Sequence, residues 1–169
     1  GLISTVENKI HDTIIPSTHT TPDPVQLNAL LAQMVDAGCD YVFMEVSSHA
    51  AHQHRIAGLQ FTGGVFTNIT HDHLDYHKTF SHYLSAKKMF FDGLPKTAFA
   101  LVNSDDRNGE VMLQNCVAAK YTFSVKGPAN FKAQIKENVI TGLVLNLDGA
   151  EFHSNLLGEF NAWNLLSVY

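Results

Sequence analysis

The stretch PVQLNALLAQMVDAG, residues 24–38, constrains the fold more than any other, because it carries its own start and stop signals and a strand-like run follows at once. Leu27, Leu30, Leu31, Met34 and Val35 recur at helical spacing. Asp23 can cap the helix, Pro24 suits its first turn and Gly38 can end it. YVFMEV, residues 41–46, is then a continuous apolar run closing on a carboxylate, as a buried central strand would be. GGVFTNIT, residues 63–70, and TAFALVNSDD, residues 97–106, repeat the scheme of an apolar run ending in polar residues. This strand, helix, strand rhythm predicts an α/β fold with a mostly parallel sheet flanked by helices. Ligands of such sheets gather at the carboxyl ends of the strands, where Glu45, Ser47, Ser48, Asn68 and Thr70 fall. The texture then changes. AKYTFSV (119–125), FKAQIKENVI (131–140), LVLNLDG (143–149) and EFHSNLLG (151–158) are short, alternating and turn-bounded, and predict a small antiparallel subsheet. The closing GEFNAWNLLSVY reads as a glycine turn entering a helix.

With 169 residues, 45% of them apolar, the chain has the size and the core of one domain. Its net charge of -5, from 11 basic and 16 acidic residues, argues against a nonspecific grip on nucleic acid, and no lysine or arginine cluster offsets it. Cys39 and Cys116 form no CxxC pair and read as reduced thiols, Cys39 a buried one, which suits a cytoplasmic protein. Without an apolar run of membrane-spanning length or a leader, no membrane partner is expected. The sequence opens on GLISTV without a methionine and closes inside a helical pattern, so both ends read as cut from a longer protein.

THDHLDYHKTFSHYLSAKKMFF, residues 70–91, holds the densest set of reactive side chains. Read as a helix from Phe80 to Asp92, it places Phe80, Leu84, Lys87 and Phe91 on one stripe, flanked by Tyr83 and Phe90, with Lys88 turned away. Lys87 can lay its stem along apolar surface and send its amine to water. Alternatively, desolvation makes the amine shed its proton more readily, and a neutral lysine can take up carbon dioxide as a carbamate. Seven of the ten histidines lie between His49 and His82. Zinc finds HDH and HxxxH spacings there, but no HExxH signature and no thiolate. His52, His54 and His82 read as surface or supporting groups. Magnesium prefers oxygen, so Glu45 with a carbamate on Lys87 and one histidine makes a chemically better shell.

Three further stretches carry chemistry or ordinary structure. STHTTPDP, residues 17–24, offers two adjacent hydroxyls, Thr20 and Thr21, or simply a capped turn. EVSSHAAHQHR, residues 45–55, sets Ser47 and Ser48 after a strand, then Gln53 and Arg55; the arginine suits a carboxylate or phosphate. GEFNAWNLL places Asn161 and Asn164 one helical turn apart beside Phe160, which can hold and stack a nucleobase, or cap and pack a helix.

Taken in order, TTPDP, MEVSSHAAHQHR, FTNITHDHLDYH, YLSAKK and LLGEFNAWNLL resemble the central domain of the Mur ligases, most closely the MurE type, over essentially all 169 residues. The resemblance implies a P-loop NTPase-like fold. It also implies an ATP-dependent carbon–nitrogen ligase of peptidoglycan synthesis that adds a third amino acid to UDP-N-acetylmuramoyl-L-alanyl-D-glutamate, diaminopimelate or lysine, with diaminopimelate the commoner. ATP would phosphorylate the D-glutamyl side-chain carboxylate, and the incoming amine would attack the acyl phosphate. By position, Thr20, Thr21, Ser47, Gln53 and Arg55 would contact the muramoyl peptide. Lys87 would be the carbamylated lysine, sharing a magnesium ion with Glu45 and His73. Asn161 and Asn164, with Phe160, would lie near the adenine. The expected protein is a cytoplasmic monomer.

The departures set the remaining expectations. The family's GxxGKT P-loop does not occur in these residues, nor do its amino-terminal uridine-nucleotide domain and carboxyl-terminal domain. Residues 1–169 therefore read as a partial central domain, expected to be inactive alone. His19 stands where an asparagine is expected. The competing readings are a folylpolyglutamate ligase relative, a zinc metallohydrolase on the histidine cluster, and a silent binding module.

Overall fold

A computed structural model describes residues 1–70 and 74–169; His73 lies outside them. The chain divides into two compact units, Gly1–Leu59 with His77–Met89, and Gln60–Tyr76 with Phe90–Tyr169.

The first unit opens with β1 (Leu2–Ile3), β2 (Glu7–Ile10) and β3 (Thr13–Pro16), followed by α1 (Pro24–Asp36), β4 (Phe43–Met44) and α2 (Ser48–His52). Its sheet has the order β3-β2-β1-β4. β1 to β3 form an antiparallel meander, while β4 runs parallel to β1 with Leu2 opposite Phe43 and Ile3 opposite Met44. The helix α1 forms as its signals predict. Asp23 Oδ1 accepts from the backbone N–H of Val25 (2.9 Å) and Gln26 (3.0 Å), and Gly38 takes a φ of 80° just past the end. Leu27, Leu30 and Met34 pack with Ile3 into one apolar cluster. Val35 does not join them and is 72% exposed, because one residue past Met34 is a rotation of about 100° off the buried stripe.

YVFMEV departs from its expectation. Only Phe43 and Met44 pair as strand, and Phe43 is 71% exposed. The physical reason is that, among the described residues, β4 is the last strand of its sheet, so its apolar run pairs on one side. Cys39 is half-buried rather than buried, with Sγ 3.7 Å from His11 Nε2, whereas Cys116 is buried.

The chain continues through β5 (Gly63–Phe66), α3 (Leu74–His77), α4 (Phe80–Asp92), β6 (Phe99–Asn103), α5 (Gly109–Leu113), β7 (Ala119–Ser124), β8 (Phe131–Val139), β9 (Gly142–Leu147), β10 (Ala150–Ser154) and α6 (Phe160–Val168). The sheet of the second unit has the order β10-β9-β8-β7-β6-β5. β5 to β8 are parallel neighbours, and β8, β9 and β10 form an antiparallel meander. The parallel-rich sheet flanked by helices and the antiparallel extension are thus both present. AKYTFSV, however, belongs to the parallel part: the crossover through α5 returns β7 in the direction of β6, and only the tight turns at 140–141 and 148–149 reverse the chain. Phe123, Ala133, Leu145 and Leu147 of the sheet pack against Ala162 and Leu166 of α6.

Helix α4 spans the predicted residues, with Tyr83, Ala86 and Phe91 buried and both Lys87 and Lys88 half-buried. Among the described residues, no helix is long and apolar enough to cross a membrane.

Candidate active site

Because β1 and β4 run parallel and in register, the residues that leave them emerge together. The Glu45 N–H donates to the Ile3 carbonyl (2.9 Å), and the Thr5 N–H reaches Glu45 Oε2 (2.8 Å). The Thr5 hydroxyl lies 2.5 Å from the same carboxylate oxygen and 3.0 Å from Thr20 Oγ1. A hydroxyl carries one proton and the carboxylate is the stronger acceptor, so Thr5 donates to Glu45 and accepts from Thr20.

Thr21 extends this network inward. Only 1% exposed, its hydroxyl donates to the Glu45 carbonyl (2.8 Å) and accepts from the Ser47 N–H (3.1 Å). The TTP segment is thereby clamped to the turn between β4 and α2. Ser47 Oγ caps α2, accepting from the Ala50 N–H at 3.1 Å. The single turn of α2 brings Arg55 back over the clamp, where Nη1 donates to the Thr21 carbonyl (2.8 Å) and Nε to Gln53 Oε1 (2.9 Å). Thr20, Thr21, Glu45, Ser47, Gln53 and Arg55, linked by bonds that reach across as many as 40 positions, therefore form one connected polar surface. His19 sits at its edge, exposed, with Nδ1 3.1 Å from Thr18 Oγ1.

In the same unit, Lys87 lies with Nζ 5.4 Å from the centroid of the buried Tyr83 ring, which orients its stem. His77 stacks on the same Tyr83 ring: it is buried, 5.3 Å from Tyr83 at an interplanar angle of 27°, with Nε2 2.9 Å from Ser48 Oγ. The rings of His49 and His52 stand 5.4 and 5.9 Å from it. His52, His54 and His82 are exposed, in keeping with supporting or surface roles. Among the described residues, no three His, Cys, Asp or Glu side chains are grouped to hold a metal ion. The Glu45 carboxylate supplies oxygen donors, the kind a hard divalent cation takes.

In the second unit, Gly158 at φ 94° turns the chain into α6. Asn161 Nδ2 donates to the Leu157 carbonyl (2.8 Å) and Asn164 Nδ2 to Asn161 Oδ1 (3.1 Å), while Phe160 is 66% exposed. Asp105, after β6, has a carboxyl displaced in acidity. Burial raises it, but hydrogen bonds from Ser124, Trp163 and the Val125 and Lys126 amides outweigh that and hold it below the usual carboxylate value.

Thr5, His77 and Asp105 escaped the sequence reading as individual residues. NSDD was visible as a polar strand end, but the donors that Asp105 collects come from positions 124 to 163. Thr5 stands in GLISTV, whose two hydroxyls directly after an apolar run were the available signal.

A family model for the Mur ligase middle domain matches residues 1–169. The chain is 60% identical over 169 residues to the UDP-N-acetylmuramoyl-L-alanyl-D-glutamate--2,6-diaminopimelate ligase of Cytophaga hutchinsonii, covering 100% of this chain and 35% of that protein. It is 40% identical over 174 residues to the Clostridium perfringens protein of the same name, covering 98% of this chain and 35% of the other. A solved structure of a ligase of that name superposes with a TM-score of 0.85 at 29% identity, over 98% of this chain and 35% of that one. MurF from Acinetobacter baumannii, at 17% identity and a TM-score of 0.69 over 83% of this chain and 32% of its own, shares the fold. The chain thus spans 35% of the length of the curated relatives it matches. It belongs to the Mur ligase family, as a middle domain matched from its first residue to its last.

Proposed function

We propose that these residues are the acceptor-holding core of an ATP-dependent ligase that joins 2,6-diaminopimelate to UDP-N-acetylmuramoyl-L-alanyl-D-glutamate, as the named relatives do. The observation that carries this reading is the convergence of Thr20, Thr21, Glu45, Ser47, Gln53 and Arg55 on one polar surface, in a chain that matches the family throughout.

In this reading Arg55 and Gln53 bind the anionic muramoyl peptide. The guanidinium is held rigid by the Thr21 carbonyl and the Gln53 amide, so little ordering is left for the moment of binding. Thr21, with its hydroxyl already engaged twice, positions the surface, and Thr20 presents its hydroxyl to the substrate. The γ-phosphoryl group of ATP passes to the D-glutamyl carboxylate as ADP leaves. The amine of the amino acid then attacks the acyl carbon, phosphate departs and the amine gives up a proton. Magnesium, held by Glu45 and the carbamate on Lys87, would screen the phosphate oxygens. Tyr83 keeps the Lys87 stem in place for that role. The P-loop, the uridine-nucleotide domain and the domain that selects the amino acid belong to other parts of the full-length protein, which acts as a cytoplasmic monomer.

Lys87→Arg in the full-length protein tests the carbamate. Arginine keeps the positive charge of the unmodified lysine and can reach the ring, but it cannot be carbamylated, so ligation should fall at least ~100-fold, the loss expected when transition-state charge stabilisation is removed, while the precursor still binds. Retained turnover would overturn the carbamate role.

A further inference from the structure

Helix α6 carries both asparagines assigned to the adenine, and at its start Asn161 Nδ2 bonds the adjoining turn at the Leu157 carbonyl (2.8 Å), which ties the helix to its own entry and not to the sheet. Glu159, at its N-cap position, is itself helical and makes no side-chain cap. Ala162 and Leu166 press the helix onto the sheet, but apolar contact has no direction and tolerates sliding and rotation. A directional bond ties it to the sheet. Trp163, between Asn161 and Asn164 in sequence, donates Nε1–H to Asp105 Oδ2 at 2.7 Å.

Asp105 is itself immobilised. Its Oδ1 accepts from the Ser124 hydroxyl (2.6 Å), and Oδ2 also accepts from the Val125 N–H (2.8 Å) and the Lys126 N–H (3.1 Å). Ser124, 1% exposed, in turn accepts from the Gly127 N–H (2.6 Å), closing the turn after β7 around the carboxylate. Lys126 reaches back across the Trp163 ring, with Nζ 5.0 Å from its centroid. The end of β6, the turn after β7 and the middle of α6 therefore meet at one ionised carboxylate.

We propose that Asp105 is a positioning residue for the nucleotide: through Trp163 it sets the rotation and height of α6, and so the placement of Asn161 and Asn164 against the adenine. This rests on the reading that those asparagines meet the adenine. A charge-assisted bond of 2.7 Å to a carboxylate with four donors is stiff, and helix interiors transmit a shift at one residue to its neighbours.

The test is steady-state kinetics of the full-length ligase carrying Asp105→Asn, Trp163→Phe or Asn161→Ala. Asparagine keeps the volume but turns an N–H towards its donors. Phenylalanine keeps a ring and removes a single donor, so it decides the matter if Asp105→Asn fails to fold. Both should raise the KM for ATP about tenfold, with kcat within about twofold and the KM for the muramoyl precursor unchanged, as expected for loss of one charged hydrogen bond acting on binding. Asn161→Ala should also raise the KM for ATP. If it does and Trp163→Phe leaves that KM at the wild-type value, the positioning role is overturned while the adenine reading stands. Equal rises in both KM values would mark a merely structural role and also overturn it. An Asn161→Ala enzyme with normal KM for ATP would remove the adenine reading and this inference together.

Discussion

Thr21→Val removes one oxygen from the centre of the proposed acceptor site and nothing from its shape. The hydroxyl it deletes is 1% exposed within its residue and makes two bonds, to the Glu45 carbonyl at 2.8 Å and from the Ser47 N–H at 3.1 Å. Valine fills the volume but leaves both backbone groups facing a methyl. Each loss costs about 1–1.5 kcal/mol in a part-buried setting, or about 2–3 kcal/mol together. Thr21→Ser is the matched control, since it keeps both bonds and removes one methyl, worth about 0.8 kcal/mol. Hydrogen exchange read by mass spectrometry on the segment containing Ser47 measures the difference locally, which suits a protein of several units better than a global melting curve. The Ser47 amide should exchange ~30- to 150-fold faster in Thr21→Val than in the wild type, the factor equivalent to that free energy, with the serine variant much nearer the wild type. Equal protection in the valine and wild-type proteins would refute the clamp.

Arg55→Lys loses the fork that reaches the Thr21 carbonyl and Gln53 together, so the KM for the muramoyl precursor should rise at least about tenfold with the KM for ATP unchanged, as measured by initial rates. Because the folded Asp105 carboxyl is held below its ordinary value near 3.8, its stabilisation is present above that value and lost as pH falls through the lower folded one. Acid unfolding below about pH 4 should therefore be less steep in Asp105→Asn, as followed by circular dichroism. Gly142→Ala, at φ 141° with the Ser154 carbonyl oxygen against the new Cβ, should destabilise the protein by about 2–4 kcal/mol in urea titration while leaving both KM values alone, since it lies in the β8–β10 meander.

The elements that read well from sequence are those whose signals are local. Helix α1 carries its own cap, period and terminating glycine, and α4 its own apolar stripe, so both appear with the expected bounds. YVFMEV shows the limit. Its apolar run identifies a strand, but whether a strand is central depends on what pairs with its second edge, which no local pattern contains. AKYTFSV is similar: alternation is shared by parallel and antiparallel strands, and the crossover through α5 decides between them. For the site, motif order brought out Thr20, Glu45, Ser47 and Arg55, and the β1–β4 register gathers them. Thr5 and Asp105 depend wholly on which donors and acceptors the fold delivers to them, and a hydroxyl or carboxylate at a strand end is too common to announce its partners.

As proposed, these residues hold the acceptor of a 2,6-diaminopimelate ligase. The measurement that tests it most directly is the mass of the product formed by the full-length protein from UDP-N-acetylmuramoyl-L-alanyl-D-glutamate, ATP and magnesium, with 2,6-diaminopimelate or lysine supplied in turn, alongside the ADP released. One ADP should be released for each diaminopimelate joined, with no comparable product from lysine and loss of both signals in Lys87→Arg. ADP release that ignores the muramoyl precursor, or ligation that survives Lys87→Arg unchanged, would contradict it.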